Sequence, residues 1–293
     1  MGFRDFPFVV RSSSRDPRRF PSHREVLAYL QDFAKEFGIE EMIRFEMTVL
    51  RVAPANGEGG IGKWRIESTE KEKKVGHDEI YDALVVCNGH YIEPRLADIP
   101  GISSWPGKEM HSDNRTIQRS GCCAYWKRCN AEDISRDIAR AAKEVHVAYW
   151  SNAADTFIKQ TGHTNLWIHS MIERVHEDGS VVFQNGITIL IDVIIHCTGY
   201  KYHFSFLDTN GIVTVDDNRV GPLYKHIFPP TLAPSLSFIG IAWKIVPFPI
   251  FELQSKWIAG VLSGRITLPS KEDMMVEIET LYATYEAQGI PKR

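Results

Sequence analysis

The 293-residue chain has no excess of cysteine, of charge of one sign, or of glycine and proline. Five cysteines, an odd number, argue against a disulfide framework and favour a reducing compartment. The 34 lysines and arginines nearly balance the 37 aspartates and glutamates, and a net charge of −3 argues against nucleic-acid binding through counterion release. Glycine (21 residues) and proline (15 residues) are at ordinary levels, so we expect no collagen-like or long disordered segment.

Long apolar runs are also scarce. The most apolar stretch, residues 187–197, contains Asp192 and is much shorter than the roughly 20 residues that a membrane-spanning helix needs. The first residues show no signal-peptide core, and Phe6 stands where N-myristoylation requires serine or threonine. We therefore expect a cytoplasmic protein that binds neither membrane nor nucleic acid.

The periodicity of apolar residues predicts an α/β fold with a largely parallel sheet. A capping box at residues 22–25 and Gly38 bound a helix. Two continuously apolar runs, 83–87 and 192–197, are typical of strands buried on both faces. Further strands are predicted at 43–52, 64–68, 145–148, 165–170, 180–183 and 236–241, further helices at 132–142, 251–262 and 271–287, and turns at 57–62, 178–179 and 185–186.

Both apolar runs end in a glycine beside an aromatic residue. These strand-end motifs are Asn88, Gly89, His90 and Tyr91 after the first run and Thr198, Gly199 and Tyr200 after the second. Ligands of open α/β sheets bind at the carboxyl ends of strands, where glycine lets the backbone approach a cofactor. A tight turn that needs positive φ explains a single such glycine equally well. The repeated pattern favours a cofactor site, and the spacing of cysteine and histidine predicts no metal site.

With these motifs the sequence resembles the flavin-containing monooxygenases, most closely the plant glucosinolate S-oxygenase branch. The resemblance rests on residues 2–8, 16–21, 88–91, 197–200, 211–223, 228–230 and 251–262. The identifying motif of that family, Phe-x-Gly-x-x-x-His-x-x-x-(Phe/Tyr), keeps its spacing here as Trp105, Gly107 and His111. Arg115 stands at its last aromatic position.

The resemblance implies two Rossmann-like domains, with the NADP-binding domain inserted in an incomplete FAD-binding domain. We place the remainder of the FAD domain at residues 1–98, a degenerate NADP domain at 99–200, and the return to the FAD domain with C-terminal helices at 201–293. The resemblance also implies FAD and NADP(H) as cofactors, with the two strand-end motifs near them, and oxygen transfer to a thioether. The implied substrate is a methylthioalkyl glucosinolate, and the product is its methylsulfinyl form. No catalytic side chain is assigned.

Both phosphate-binding loops depart from the family pattern. We expect the Gly-x-Gly-x-x-Gly loop for FAD to lie upstream of the residues that open this chain, and we expect no such loop within it. Its loss would leave a sheet edge exposed. The degenerate NADP loop consists of Trp126, Lys127, Arg128, Cys129, Asn130 and Ala131. It has no glycine, and we expect residues 120–130 to make a poor strand. Trp150 stands where NADP-dependent relatives often have an arginine for the 2′-phosphate.

We hypothesise that residues 119–132 are read in a shifted frame and that this produced the degenerate NADP loop. Tryptophan is encoded by TGG and lysine codons begin with AA, so reading Trp126 and Lys127 one base later produces a glycine codon. We expect a monooxygenase that is impaired or inactive. The alternatives are a non-catalytic binding or dimerisation protein, a degenerate, pseudogene-like product, and a flavin-free NADPH reductase.

Overall fold

The computed structural model describes residues 2–8, 22–55, 62–71, 75–112, 122–126, 131–149, 157–242, 245–290 and 292. The chain forms two compact units. Unit 1 comprises Met1–Gly89 and Tyr202–Arg293, and unit 2 comprises His90–Lys201. Unit 2 is thus inserted in the sequence of unit 1. The chain passes from one unit to the other after residues 89 and 201, whereas the predicted domain boundaries lie after residues 98 and 200.

In the first part of unit 1, the described residues form one α-helix, a short 3-10 helix at Glu40–Met42, a three-stranded antiparallel sheet and a further short strand. These elements are α1 (His23–Glu36), β1 (Met47–Pro54), β2 (Trp64–Glu70), β3 (Gly76–Tyr81) and β4 (Leu84–Val86). Gly38 follows α1 with φ +62°, as predicted. The predicted capping box is wrong, because the side chain of Ser22 makes no cap hydrogen bond and only its carbonyl accepts from Glu25 N–H.

Unit 2 is built around a six-stranded sheet. Its elements are β5 (Glu93–Pro94), β6 (Lys108–His111), β7 (Cys122–Trp126), α2 (Ala131–Ala139), β8 (Glu144–Ala148), β9 (Phe157–Lys159), β10 (Leu166–His169), β11 (Ile172–Val175), β12 (Ser180–Phe183), β13 (Thr188–Leu190), β14 (Val193–His196) and β15 (Tyr200–Lys201). The sheet order is β6-β14-β7-β8-β10-β9, and every neighbouring pair except β10–β9 is parallel. The predicted α/β fold with a largely parallel sheet is confirmed.

Strand β7 lies within a segment that the sequence predicts to be a poor strand, and that prediction is wrong. Residues 120–130 were expected to make a poor strand, yet Cys122–Trp126 pairs in parallel with β14 on one side and β8 on the other. A strand with two neighbours satisfies its backbone groups on both edges, and this tertiary context overrides a weak local preference for β structure.

Both faces of the parallel sheet of unit 2 are covered. On one face, Val193 and Ile195 of β14 share a buried cluster with Ile138 of α2. On the other face, Ile194 packs in a cluster with residues of the antiparallel sheet β11-β12-β13. A strand that buries alternate residues against two layers has to be apolar throughout, which explains the run at 192–197. The predicted hairpin turns at Gly179 and Gly186 are confirmed, with φ of +87° and +80°.

The second part of unit 1 begins with short strands and ends with two helices. Its elements are β16 (Thr214–Asp216), β17 (Arg219–Gly221), β18 (Leu236–Phe238), α3 (Pro247–Leu262) and α4 (Lys271–Ala287). Strand β18 pairs with β4 in parallel, and among the described strands β4 has no second neighbour. Within the described part of the chain, no helix has the length and apolar character needed to cross a membrane.

Candidate functional site

The first strand-end motif begins in unit 1, directly after β4. Gly89 has φ +73°, and a side chain built there would meet no atom within 4 Å. Its glycine is therefore explained by backbone conformation, and the space beside it is open. Asn88 donates a long hydrogen bond of 3.4 Å from Nδ2 to the carbonyl of His203, also in unit 1.

The second strand-end motif follows β14 in unit 2. Gly199 has φ +78° and, like Gly89, open space where a Cβ would point. The hydroxyl of Thr198 donates to the carbonyl of Arg95, and Arg95 N–H donates to the carbonyl of Gly199 at 3.0 Å. Strands β5 and β15 extend this pairing, so the residues entering unit 2 and those leaving it are joined as a short antiparallel ladder.

An aromatic row runs through this part of unit 2. It consists of His90, Tyr91, Tyr200 and His111, with successive ring centroids 4.3, 5.2 and 4.8 Å apart. Tyr91 is 72% exposed whereas His111 is 6% exposed, so the row leads from the surface into the core. The structure therefore brings together His90, Tyr91 and Tyr200 of the two strand-end motifs with His111 of the family motif.

The family motif is a packing and hydrogen-bonding unit. A Cβ on Gly107 would lie 2.2 Å from the Trp105 ring, so only glycine lets the buried indole occupy its place. His111, the last residue of β6, donates from Nε2 to the carbonyl of Gly199 at 2.9 Å. His111 is thus a buried, hydrogen-bonded histidine that supports the second strand-end motif. Arg115 lies outside the described residues.

A further histidine, His196 at the end of β14, was not predicted as a site residue. It is fully buried, and the N–H of Ala97 donates to its Nδ1 at 3.1 Å. Its Nε2 lies 2.8 Å from Oε1 of Glu109 on β6, in an oblique approach that falls outside regular hydrogen-bond geometry. Burial lowers the pKa of His196, and the nearby Glu109 carboxylate opposes that shift. The parallel pairing of β6 with β14 brings Glu109 and His196 together, and no local sequence pattern predicts this contact.

The connection between β7 and α2 is the place in this sheet where a dinucleotide phosphate would bind, at the end of a parallel strand and the start of a helix. Trp126 belongs to β7 and Ala131 to α2, so the predicted six-residue loop is reduced to four residues. Lys127, Arg128, Cys129 and Asn130 lie outside the described residues, as does Trp150. Because these four residues include no glycine, they do not fit the dinucleotide fingerprint.

The FAD fingerprint requires a second correction. Gly57, Gly59 and Gly62 do have Gly-x-Gly-x-x-Gly spacing. They fall between β1 and β2, which pair as antiparallel neighbours, as the sequence predicts, so the next described element is a strand and not a helix. Gly57 and Gly59 themselves lie outside the described residues. A pyrophosphate site of the dinucleotide type needs a strand-to-helix turn, and the spacing alone does not supply one.

The fold and the strand ends define an α/β protein with Rossmann-type architecture, in which one unit is inserted in another. The sequence matches the flavin-binding monooxygenase-like family over residues 1–148 and 155–288, and the chain belongs to that family.

Relatives and solved structures agree with this assignment. The chain is 76% identical to flavin-containing monooxygenase FMO GS-OX-like 3 of Arabidopsis thaliana over 100% of its own length and 66% of that relative. It is 56% identical to FMO GS-OX5 of the same plant, covering 64% of it. The structure of S-allyl-L-cysteine S-oxygenase from Allium sativum matches with a TM-score of 0.92, 56% identity and coverage of 100% of this chain and 66% of that one. The chain therefore spans about 66% of the length of the first of these relatives.

Proposed function

We propose that this chain derives from an FAD- and NADPH-dependent monooxygenase that oxidises thioether sulfur, and that its own oxygenation activity is impaired or absent. Membership of the flavin-binding monooxygenase-like family supports the reaction class. The name of the Allium structure, S-allyl-L-cysteine S-oxygenase, specifies a thioether substrate and supports the substrate class. Within that class we propose methylthioalkyl glucosinolates, which would become methylsulfinyl glucosinolates.

We assign unit 2 to NADP(H) and unit 1 to FAD. The parallel sheet of unit 2, with α2 directly after β7, supports the first assignment, and the parallel pair β4–β18 supports the second. Asn88, Gly89, His90, Tyr91, Thr198, Gly199 and Tyr200 are the proposed cofactor-side residues. A bound flavin would supply the activation of oxygen. No catalytic step is assigned to a side chain of this chain.

The observation that carries the proposed impairment is the connection between β7 and α2. Backbone N–H groups at a helix start hold phosphate when glycine allows the ligand to come close. Here a strand and a helix stand in the required order, but the four residues between them are Lys-Arg-Cys-Asn. Lysine and arginine attract phosphate as charges, and they do not replace the close approach that glycine permits.

The test uses the purified 293-residue chain. We expect flavin absorbance far below one equivalent, weak NADPH binding, and little sulfoxide formed from a methylthioalkyl glucosinolate by mass spectrometry. Lys127→Gly/Cys129→Gly should tighten NADPH binding at least tenfold. The matched control Lys127→Ala/Cys129→Ala removes the same side chains without adding glycine and should leave binding unchanged.

The outcomes separate the alternatives. Stoichiometric flavin together with sulfoxide formation would overturn the proposed impairment. Cofactor-free protein that unfolds cooperatively would favour the non-catalytic binding or dimerisation role. Aggregated or rapidly proteolysed protein would favour a degenerate product. Sequencing the transcript across residues 119–132 tests the shifted frame separately, and polar residues or a stop codon in the alternative frame would exclude it.

A further inference from the structure

The segments by which the chain enters and leaves unit 2 are held together by hydrogen bonds within that unit. We call residues 90–98 the entry segment and residues 197–201 the exit segment. The β5–β15 ladder joins them, together with the bonds between Arg95 and residues 198 and 199. Two imidazoles also bond to these segments. His196 accepts a hydrogen bond from Ala97 N–H of the entry segment, and His111 donates one to the carbonyl of Gly199 in the exit segment.

The bond from the entry segment to His196 requires one particular imidazole tautomer. Because Ala97 N–H is the donor, Nδ1 of His196 must carry a lone pair, and in the neutral ring the proton must then be on Nε2. A proton on Nδ1 would place two donors against each other 3.1 Å apart. The attachment of the entry segment to β14 therefore depends on where this proton lies.

Glu109 is placed to decide the position of that proton. Its Oε1 lies 2.8 Å from Nε2 of His196, and a carboxylate there attracts an Nε2–H and repels an Nε2 lone pair. The approach is oblique, so the carboxylate acts mainly through its charge, which is strong at this distance from a fully buried ring. The Glu109 side chain itself is 36% exposed, so it keeps contact with water.

We propose that Glu109 is a positioning residue that selects the Nε2–H tautomer of His196 and thereby holds the entry segment against β14. The arrangement parallels the carboxylates that orient metal-binding histidines through the other ring nitrogen, with a backbone N–H in place of the metal. Through the β5–β15 ladder, the same link keeps Tyr91 beside Tyr200. The proposal is independent of the proposed oxygenation, because it concerns only contacts within unit 2.

The experiment is nitrogen-15 NMR of the histidine side chains in the full chain, combined with hydrogen exchange at the Ala97 amide. We expect a single Nε2–H tautomer for His196 in the wild type. Glu109→Gln should mix the tautomers, since a carboxamide can also donate to an Nε2 lone pair, and should speed exchange at Ala97 about tenfold. Glu144→Gln is the matched control: its carboxylate lies near a different buried imidazole, that of His146, and His196 should be unaffected.

A double-mutant cycle distinguishes tautomer selection from a general loosening of β6. In His196→Asn, the amide oxygen takes the place of Nδ1 and has no tautomer to select. Adding Glu109→Gln to that variant should leave Ala97 exchange within twofold, against the tenfold effect in the wild type. An Nδ1–H tautomer in the wild type, or equal effects of Glu109→Gln in both backgrounds, would overturn the proposal. The wild-type spectrum decides the first point even where His196→Asn does not fold.

Discussion

Strands β4 and β14 come from similar apolar runs, yet the protein surrounds them very differently. Strand β14 lies between β6 and β7, and all four of its residues are buried. Strand β4 pairs with β18, its one neighbour among the described strands, and Val85 at its centre is 37% exposed. Both runs end in a strand-end motif with a glycine at positive φ.

An apolar run in the sequence therefore predicts a strand, but it does not predict how many neighbouring strands will pair with it. In unit 2, α2 and the sheet β11-β12-β13 cover the two faces, and β14 is apolar because both faces are occupied. In unit 1, Val86 joins a buried cluster while Val85 on the opposite face does not. The energetic value of the same residue type should therefore differ between the two strands.

The largest effect is expected from shortening one apolar side chain in each of these two strands. Ile194→Ala in β14 should lower the free energy of unfolding by about 2–5 kcal/mol, because a fully buried side chain is removed from between two packed layers. Val85→Ala in β4 should cost about 1 kcal/mol or less, since its side chain is already partly in water. Denaturant unfolding of the two variants measures both. Equal losses would mean that Val85 is covered in solution.

A smaller effect is expected at the family motif. Gly107→Ala places a methyl group 2.2 Å from the Trp105 ring and should cost about 1–3 kcal/mol, because the buried indole has to move. Gly76→Ala, at the start of β3 in unit 1, adds the same methyl group where no atom lies within 4 Å. It should change the free energy of unfolding by less than about 0.5 kcal/mol. Thermal unfolding of the pair checks this, and a neutral Gly107→Ala would contradict the packing role of the glycine.

Elements with strong local signals were predictable from the sequence. Helix α4 was predicted at 271–287 and has those bounds, since Ser270 caps it by accepting from Asp273 N–H. The turns at Gly179 and Gly186 likewise follow from Asp-Gly and Asn-Gly pairs. In both cases the deciding interaction lies within a few residues of the chain.

Features that depend on distant neighbours were not predictable in this way. Strand β7 pairs with β8 and β14 on its two edges, whereas its own short sequence, Cys-Cys-Ala-Tyr-Trp, has aromatic residues at one end only and no β-branched residue. The contact between Glu109 and His196 depends on the parallel register of β6 with β14, which sequence periodicity does not specify. The roles proposed for the strand-end motifs remain predictions.

The covered sheet of unit 2 also buries a pair of histidines, and this makes its stability sensitive to acid. Nδ1 of His146 lies 2.9 Å from Nε2 of His169, both rings are buried, and His169 stacks on Phe183 at 4.0 Å. Burial, with a smaller contribution from His146, lowers the pKa of His169 to about 3. In the unfolded chain an imidazole takes up a proton below a pKa of about 6.5.

The smallest expected effect follows from this difference in pKa. Because the unfolded state binds more protons than the folded state between pH 6.5 and 3, the stabilisation present above pH 6.5 is lost as the pH falls through that range. For His169 alone, the loss between pH 7.5 and 5.5 should be about 1.4 kcal/mol. His169→Gln keeps an amide near the position of Nε2 that can donate to His146, and it has no proton to take up.

The variant should therefore lose about 1.4 kcal/mol less than the wild type between pH 7.5 and 5.5, measured by denaturant unfolding at the two pH values. The test does not depend on the stability of the variant at pH 7.5, since the difference between the two pH values is the quantity measured. Hydrogen exchange should locate the acid-induced opening in β8 and β10 of unit 2 before β4 and β18 of unit 1. Identical pH dependence in both proteins would show that His169 takes up its proton at the same pH in the folded and unfolded states, and with it that covering both faces of this sheet does not keep the imidazole neutral.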